Sequence, residues 1–403
     1  MMQGWCTLAQ AWRGSVRAML SDSGVLLLLV LAPALYAVYY PWPYATQAVT
    51  GVPVMVVDQE HSALSRQITR WAAASPRLKV VGVTASEQQA QAALWRGEIE
   101  GYAILPAGLK RQLLRGQATP VTVAGNGAYA LLNKAVLTGF TEVLASLSAG
   151  VEIRQLETSG QSAPQARASR SPISAELVPL FNPTEGYGSY VVPAVALLIL
   201  QQTLLMGTAL LVGTWTEARR HRADAMVWFG RILGLSSVGF AVGLLFFGWV
   251  FLLQDYPRGG NPWGAVLLLL LFVPAVCSCG AWLGVCFGNR ERALQVLLFT
   301  ALPLAFLSGF SWPAEALPPT LQGLRWLAPS TAAIQASLRL NQMGASIQEV
   351  WPELACLMAL ALGNAGLLLA LAGQRPKPQR RLAIGKSKPC DQLLLGVDQV
   401  AEK

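Results

Sequence analysis

Residues 191–214 read VVPAVALLILQQTLLMGTALLVGT, a run without a single Asp, Glu, Lys or Arg. A bilayer core about 30 Å thick needs on the order of 20 apolar residues per helix, so this run is long enough to cross one. Five further stretches have the same character: residues 23–41, 232–253, 263–287, 293–310 and 354–372. Their interiors also lack formal charge, as expected where a central charge costs roughly 2.5 to 3.5 kcal/mol on insertion scales. The composition agrees: 13% of the 403 residues are charged, 53% are hydrophobic, and the mean hydropathy is +0.43. Soluble chains are about a quarter charged, which argues against a cytosolic enzyme. The pattern predicts a polytopic α-helical membrane protein of six spans.

The net charge of +9 does not point to nucleic acid, because the cations form short clusters beside the apolar runs. Arg13 and Arg17 precede the first span, and Arg219, Arg220, Arg222 and Arg231 lie between the second and third. Arg290 and Arg292 separate the fourth and fifth, and Arg375, Lys377, Arg380, Arg381, Lys386 and Lys388 follow the sixth. The intervening loops hold only Arg258 in one case and Arg325 and Arg339 in the other. The positive-inside rule then places both termini in the cytoplasm. A cleaved signal peptide is the competing reading of the first run, but Pro41-Trp42-Pro43-Tyr44 follows it where a small-residue cleavage site belongs. The expected location is a membrane, crossed six times.

The polar stretch between the first two spans is then extracytoplasmic. Within residues 42–160, apolar β-branched runs at Val52 to Val57, Leu78 to Val83, Gly101 to Leu105 and Pro120 to Ala124 alternate with amphipathic stretches. This predicts an inserted α/β domain with a largely parallel sheet. Ser86 with Gln89 resembles a helix-capping box, and a long helix from about Ala128 to Leu156 is expected to leave the domain as a stalk. Residues 161–190 read as a linker leading to the second span. Asp58, Glu60 and His61 form the domain's one catalytic-looking cluster, although a polar strand end beside a helix start is ordinarily there for capping. With only two histidines and six dispersed cysteines, neither a metal centre nor a disulfide framework is expected.

Residues 1–22 place Trp5, Leu8, Ala9, Trp12, Val16 and Met19 at helical spacing, the signature of an amphipathic helix at the inner leaflet. In the membrane part, Gly280, Gly284 and Gly288 form one small-residue row and Gly239 with Gly243 another, a spacing that lets helices approach closely within one subunit or between two. The spans offer only neutral polar groups such as Gln201, Gln202, Thr203, Gln295 and Asn364, which argues against proton or sodium coupling. The chain carries no phosphate-binding loop. Gly385-Lys386-Ser387 imitates the end of one, but Arg380 stands where its first glycine belongs, and the basic tail 374–403 suits a lipid surface. Residues 311–350 are too apolar for a solvated loop and too proline-broken for a span, which predicts short re-entrant helices.

Within and beside that loop, Ser308-Gly309-Phe310, Pro313, Leu317-Pro318 and Leu327-Ala328-Pro329 resemble the carboxy-terminal signature of the ABC-2 type transporter permeases. Phe181-Asn182-Pro183 leading to Tyr187 and Tyr190 is similar to the lead-in of the second span in exporters of that type that carry a large periplasmic domain. The resemblance implies a transmembrane subunit of an ATP-driven exporter, with no cofactor on this chain and ATP bound by a separate ABC nucleotide-binding subunit. It further implies a second permease subunit, identical or related, and a periplasmic adaptor. Residues 215–231 would hold the helix that meets the ATPase, through Glu217, Arg219, Arg220, Arg222 and Asp224. Many family members carry Glu-Arg-Glu and a glycine there, and this chain departs from that with Thr216-Glu217-Ala218-Arg219-Arg220-His221-Arg222. The substrate expected from the apolar spans is amphipathic, drug-like or lipid-like. A non-transporting envelope scaffold or receptor that works through the α/β domain is the alternative.

Overall fold

The computed structural model describes residues 2–115, 117–165, 180–182, 185–256 and 260–372. The basic tail 374–403, most of the expected linker, Pro183 and Arg258 lie outside the described residues. Helix α1 spans Met2–Ser21 and α2 spans Ser23–Tyr44, with a π turn at Leu27–Leu31. Asp22 stands between them and caps α2, its carboxylate accepting from the backbone N–H groups of Gly24 and Val25, both at 3.1 Å.

The inserted unit is a four-stranded sheet with helices on both faces. Strand β1 is Val52–Asp58, followed by helix α3 (Ala63–Ala74), β2 (Leu78–Thr84), α4 (Glu87–Trp95), β3 (Gly101–Leu105), α5 (Leu109–Leu114), β4 (Thr122–Gly125) and α6 (Ala130–Thr158). The strand order is β2-β1-β3-β4; β1 runs parallel to β2 and β3, while β4 is antiparallel to β3. Central β1 is apolar without alternation because both its faces are covered. Val52, Val54 and Val56 pack with Ile68, Ala72, Val136 and Phe140, whereas Val57 packs on the other side with Ala90, Ala93 and Ile99.

Helix α6 corrects the stalk expectation. Its Val136, Phe140, Val143 and Leu147 are buried in the sheet's core, and Gly139 passes so close to Leu78 that an added Cβ would lie 2.7 Å from Leu78 Cγ. The capping box also moves. Ser62 and Ser65 form it at the start of α3, whereas the Ser86 side chain makes no cap bond and turns to Gln88. Asp58 has a structural role at the same place: it is 8% exposed and accepts from the N–H groups of Glu60 and His61 at 3.0 and 2.9 Å and from Ser65 Oγ at 2.7 Å. Asp58→Ala would orphan these donors, and the expected outcome is a loss of about 2 kcal/mol, visible as a lower thermal midpoint of the detergent-solubilised protein.

The membrane part contains α7 (Tyr187–Glu217), α8 (Ala225–Leu253), α9 (Pro262–Phe287), α10 (Arg290–Leu307), α11 (Pro319–Leu324), α12 (Pro329–Ser337, continued by a π turn Leu338–Gln342) and α13 (Trp351–Ala372). Six described helices are long and apolar enough to cross a membrane: α2, α6, α7, α8, α9 and α13. This set is not the expected one, because α6 qualifies and α10 does not. The apolarity of α6 is already accounted for by its sheet-facing side. Helix α10 is 18 residues long and starts three residues before the predicted fifth span, so Arg290, Glu291 and Arg292 occupy its first turn. Beyond that turn Leu298, Phe299, Leu302 and Phe306 are exposed, as a lipid-facing helix requires.

Helix α7 is the centre of the bundle, buried from Val191 to Val212 on nearly every face and in contact with α2, α9, α10 and α12. Gly280 and Gly284 of α9 rest on its backbone: a Cβ at Gly284 would lie 2.7 Å from the Ala209 carbonyl oxygen, and one at Gly280 2.8 Å from that of Leu205. Gly239 and Gly243 of α8 are hemmed by Leu204 and Leu269 in the same way. The small-residue rows thus serve contacts within the chain. Gly288 is the exception, since it ends α9 as a left-handed cap (φ 63°) with no crowded neighbour.

Candidate functional site

Two polar regions lie at opposite ends of the bundle. At the first, the Arg290 guanidinium of α10 grips Asp22 with both arms, Nη1 to Oδ2 at 2.5 Å and Nη2 to Oδ1 at 2.9 Å. Arg290 also donates its backbone N–H to Glu217 Oε1 at 2.9 Å, and Nη1 reaches Thr214 Oγ1 at 3.4 Å. One residue therefore fastens the start of α2, the end of α7 and the start of α10. The approach is close enough to require glycines on both partners, since a Cβ at Gly24 would meet Arg290 Nη2 at 2.9 Å and one at Gly213 the Arg290 Cα at 3.0 Å. The Arg290 guanidinium holds the Asp22 carboxyl below its ordinary range, against the opposing effect of partial burial.

The expected coupling helix is absent as a separate element. Helix α7 continues to Glu217 and α8 begins at Ala225, so residues 218–224 form a tight turn in which Arg219 adopts φ 57°. Two contacts brace this turn from α8: Trp228 Nε1 donates to the His221 carbonyl at 3.0 Å and Arg231 Nη2 to that of Arg220 at 3.0 Å. The Arg231 guanidinium also lies over the rings of Trp215 and Trp228, 4.5 and 4.8 Å from their centroids. Burial first, and then the neighbouring Arg222, push the His221 pKa down, so the imidazole is held toward its neutral form. Glu217, Arg219, Arg220, Arg222 and Asp224 are all exposed on this braced knuckle.

Helix α1 is seated beside it. Gly230 and Gly234 of α8 receive Leu8, Ala11, Trp12 and Ser15, with predicted Cβ distances of 2.7 Å to Ala11 and 3.0 Å to Ser15, and Trp12 Nε1 donates to Ser237 Oγ at 3.3 Å. Part of the face expected to touch lipid thus touches protein, while Trp5 stays exposed. Asp22 carried a sequence signal, as a capping residue just before a helical run. Its meeting with Arg290 had none, because 268 residues separate the two.

At the opposite end lies the proline-broken motif. Gly309 turns the chain after α10 with φ 81°, Pro313 precedes a single 3-10 turn, Pro318 caps α11, and Pro329 opens α12. The Phe310 carbonyl accepts from the Tyr190 hydroxyl of α7. Helix α12 is short and covered by protein: Ser330, Thr331, Ala332, Ala333, Ile334 and Ala336 are buried between α7, α9 and α13. Hydrogen bonds tie it to its neighbours. Gln201 Oε1 accepts from the Ser330 N–H at 2.5 Å, Gln335 Nε2 donates to the Ser308 carbonyl at 3.0 Å, and Gln342 Nε2 donates to that of Ser189 at 2.7 Å. Gln202 and Asn364 bond across helices as well, to the Leu297 carbonyl and Trp282 Nε1, so the neutral polar groups of the spans hold the bundle together.

An apolar bundle knit by such bonds, with a short protein-covered helix at one end, a braced charged knuckle at the other and an α/β unit inserted after the first apolar helix, defines the class of a multi-pass α-helical membrane protein. The chain belongs to the ABC-2 transporter family, matching the ABC-2 family transporter protein over residues 23–371. Relatives include the inner membrane transport permease YhhJ of Escherichia coli (strain K12) and that of Shigella flexneri, each 30% identical over 112 residues. The matching stretch is 27% of this chain and 29% of each relative's length.

Proposed function

We propose that this chain is the permease subunit of an ATP-driven exporter in a bacterial inner membrane, moving an amphipathic, drug-like or lipid-like substrate outward. Both termini face the cytoplasm and the α/β unit lies in the periplasm, the orientation that puts Arg13, Arg17, Arg219, Arg220, Arg222, Arg290 and Arg292 inside. A separate nucleotide-binding subunit supplies hydrolysis. Two permease subunits enclose the path and alternate between inward-closed and outward-closed arrangements, and the periplasmic unit offers a surface to an adaptor.

The observation that supports coupling best is the junction at Arg290. The knuckle 218–224 is exposed and rigidly braced, and its neighbour Glu217 is bonded to the residue that also holds α2 and α10. A push on the knuckle is therefore passed to three spans at once. Affinity purification of the tagged chain in mild detergent, with mass spectrometry and a vanadate-sensitive hydrolysis assay, tests the partnership. In that assembly the charge reversals Arg219→Glu and Arg220→Glu are expected to lower substrate-stimulated hydrolysis about tenfold, equivalent to roughly 1.4 kcal/mol. Unchanged hydrolysis in a fully assembled complex refutes the coupling role. Recovery of the chain without any ATPase favours the envelope-scaffold alternative.

A further inference from the structure

Beside α12 is a polar cavity of about 230 Å³, lined by Gly309, Glu315, Arg325, Gln335, Arg339 and Glu353 among others. At about 30 Å³ per water it holds more than a bridging solvent molecule. Its charges balance, two arginines against two glutamates. Glu353 is 5% exposed at the start of α13, and only one of its oxygens is engaged: Oε1 pairs with Arg339 Nη1 at 3.0 Å, while Oε2 is buried and accepts no hydrogen bond from the described residues. Arg325 presents the complementary orphan. Its guanidinium carbon lies 4.9 Å from the centroid of the Trp326 ring, and its Nη1 is buried with no acceptor among the described residues. Buried polar atoms of this kind are costly unless a partner satisfies them.

The segment that carries Arg325 has a second, apolar side. Leu324 and Leu327 line a separate crevice, also about 230 Å³, walled by Leu205, Leu297, Leu304 and Leu307 of α7 and α10. Trp312, Leu324 and Leu327 are each more than half exposed, as in a segment that sits at the membrane surface. A polar cavity with one donor and one acceptor to spare and a neighbouring apolar crevice together fit an amphiphile.

We propose that this cavity binds a phosphoethanolamine group, with the phosphate on Arg325 and the primary ammonium on Glu353 Oε2. A guanidinium fork suits phosphate oxygens, and an ammonium supplies the N–H donor that Oε2 lacks. A choline group has no N–H to offer, and a glycerol headgroup offers Oε2 only a neutral hydroxyl in place of a charged donor. The group belongs either to a phospholipid whose chain enters the Leu324–Leu327 crevice or to a free solute. Assignment to the outer leaflet rests on the orientation proposed above.

The test is thermal unfolding of the delipidated full-length chain in mild detergent, titrated with short-chain phosphatidylethanolamine, phosphatidylcholine or phosphatidylglycerol, or with soluble phosphoethanolamine. Phosphatidylethanolamine is expected to raise the midpoint, and its half-saturating concentration to rise about tenfold or more in Arg325→Gln and in Glu353→Gln. Ala314→Phe fills the cavity without removing a charge, so it should abolish the shift while leaving the unliganded midpoint close to that of the parent chain. A full shift by soluble phosphoethanolamine supports the same group from a solute. The proposal is overturned by an equal response to phosphatidylcholine or phosphatidylglycerol, by a shift that survives Ala314→Phe, or by no shift with any compound. Hydrolysis by the partner subunit is not measured here, so failure of this site leaves the exporter reading separately testable.

Discussion

Arg290→Ala is expected to uncouple the assembly as well as weaken the fold. The substitution removes a two-armed hydrogen bond to Asp22 and leaves that carboxylate, with 18% of its side chain exposed, facing α7 without its cation. Hydrogen bonds to charged groups contribute roughly 1.5 to 3 kcal/mol, and partial solvent access places this pair at the lower end, about 2 kcal/mol. Asp22 keeps its cap on α2, so Asp22→Asn should cost less than Arg290→Ala, and the double variant little more than Arg290→Ala alone. A double-mutant cycle on the thermal midpoint reads that coupling. Because Arg290 holds the Asp22 carboxyl low, the clasp contributes fully above the ordinary carboxylate value of about 3.9 and is lost only as the pH falls below it. Hydrolysis by the purified assembly should fall at least about fivefold in Arg290→Ala and persist in Arg292→Ala, whose side chain has no part in the clasp. Equal activity of the two variants sinks the assignment of Arg290 as the shared anchor.

Why Arg290 reads in the sequence only as one more cytoplasmic cation follows from what sequence patterns encode. Local periodicity places helices, and the apolar runs at 191–214, 232–253, 263–287 and 354–372 each lie within an observed helix. Strand positions are legible for the same reason, since Val52 to Val57 and Leu78 to Val83 are Val-rich runs that begin just after Gly51 and Pro76. Apolarity alone does not say what covers a helix. Helices α6 and α13 are both apolar enough to cross a membrane, yet α6 buries its apolar side against a sheet while α13 leaves Leu362, Leu367, Leu369 and Leu371 exposed, as a lipid-facing side would be. The helix that the resemblance implies is replaced by a turn between Glu217 and Asp224, where Trp228 and Arg231 claim the His221 and Arg220 carbonyls. Gly288 fell on the GxxxG spacing by position only; the chain reverses there, and spacing cannot tell a packing glycine from a cap. Both ion pairs that tie helix ends, Asp22 with Arg290 and Arg339 with Glu353, join residues whose partners no local pattern names.

Gly284→Leu is expected to have the largest structural effect of any single change in the membrane part. The obstacle is backbone: a Cβ at this position would lie 2.7 Å from the Ala209 carbonyl oxygen and 3.1 Å from its Cα, so no side-chain rotation relieves it. Helices α7 and α9 must separate, and every contact that α7 makes with α10 and α12 is disturbed with them. The cost is about 3 kcal/mol or more, beyond ordinary overpacking because neither helix can yield alone. Gly280→Leu meets the Leu205 carbonyl at 2.8 Å and should behave alike. Two comparisons separate close packing from a general intolerance of bulk in these spans. Gly363→Leu on α13 has open space around its Cβ and should leave the yield and thermal midpoint of the purified protein unchanged. Gly288→Ala has room but forces a side chain into the left-handed region, and its cost should be about 1 kcal/mol. Size-exclusion chromatography of detergent extracts reads the ranking, with Gly284→Leu and Gly280→Leu aggregated, Gly288→Ala slightly weakened and Gly363→Leu like the parent chain. A monodisperse Gly284→Leu protein with an unchanged midpoint would mean that α9 does not rest on the α7 backbone, and the bundle's central contact would have to be redrawn.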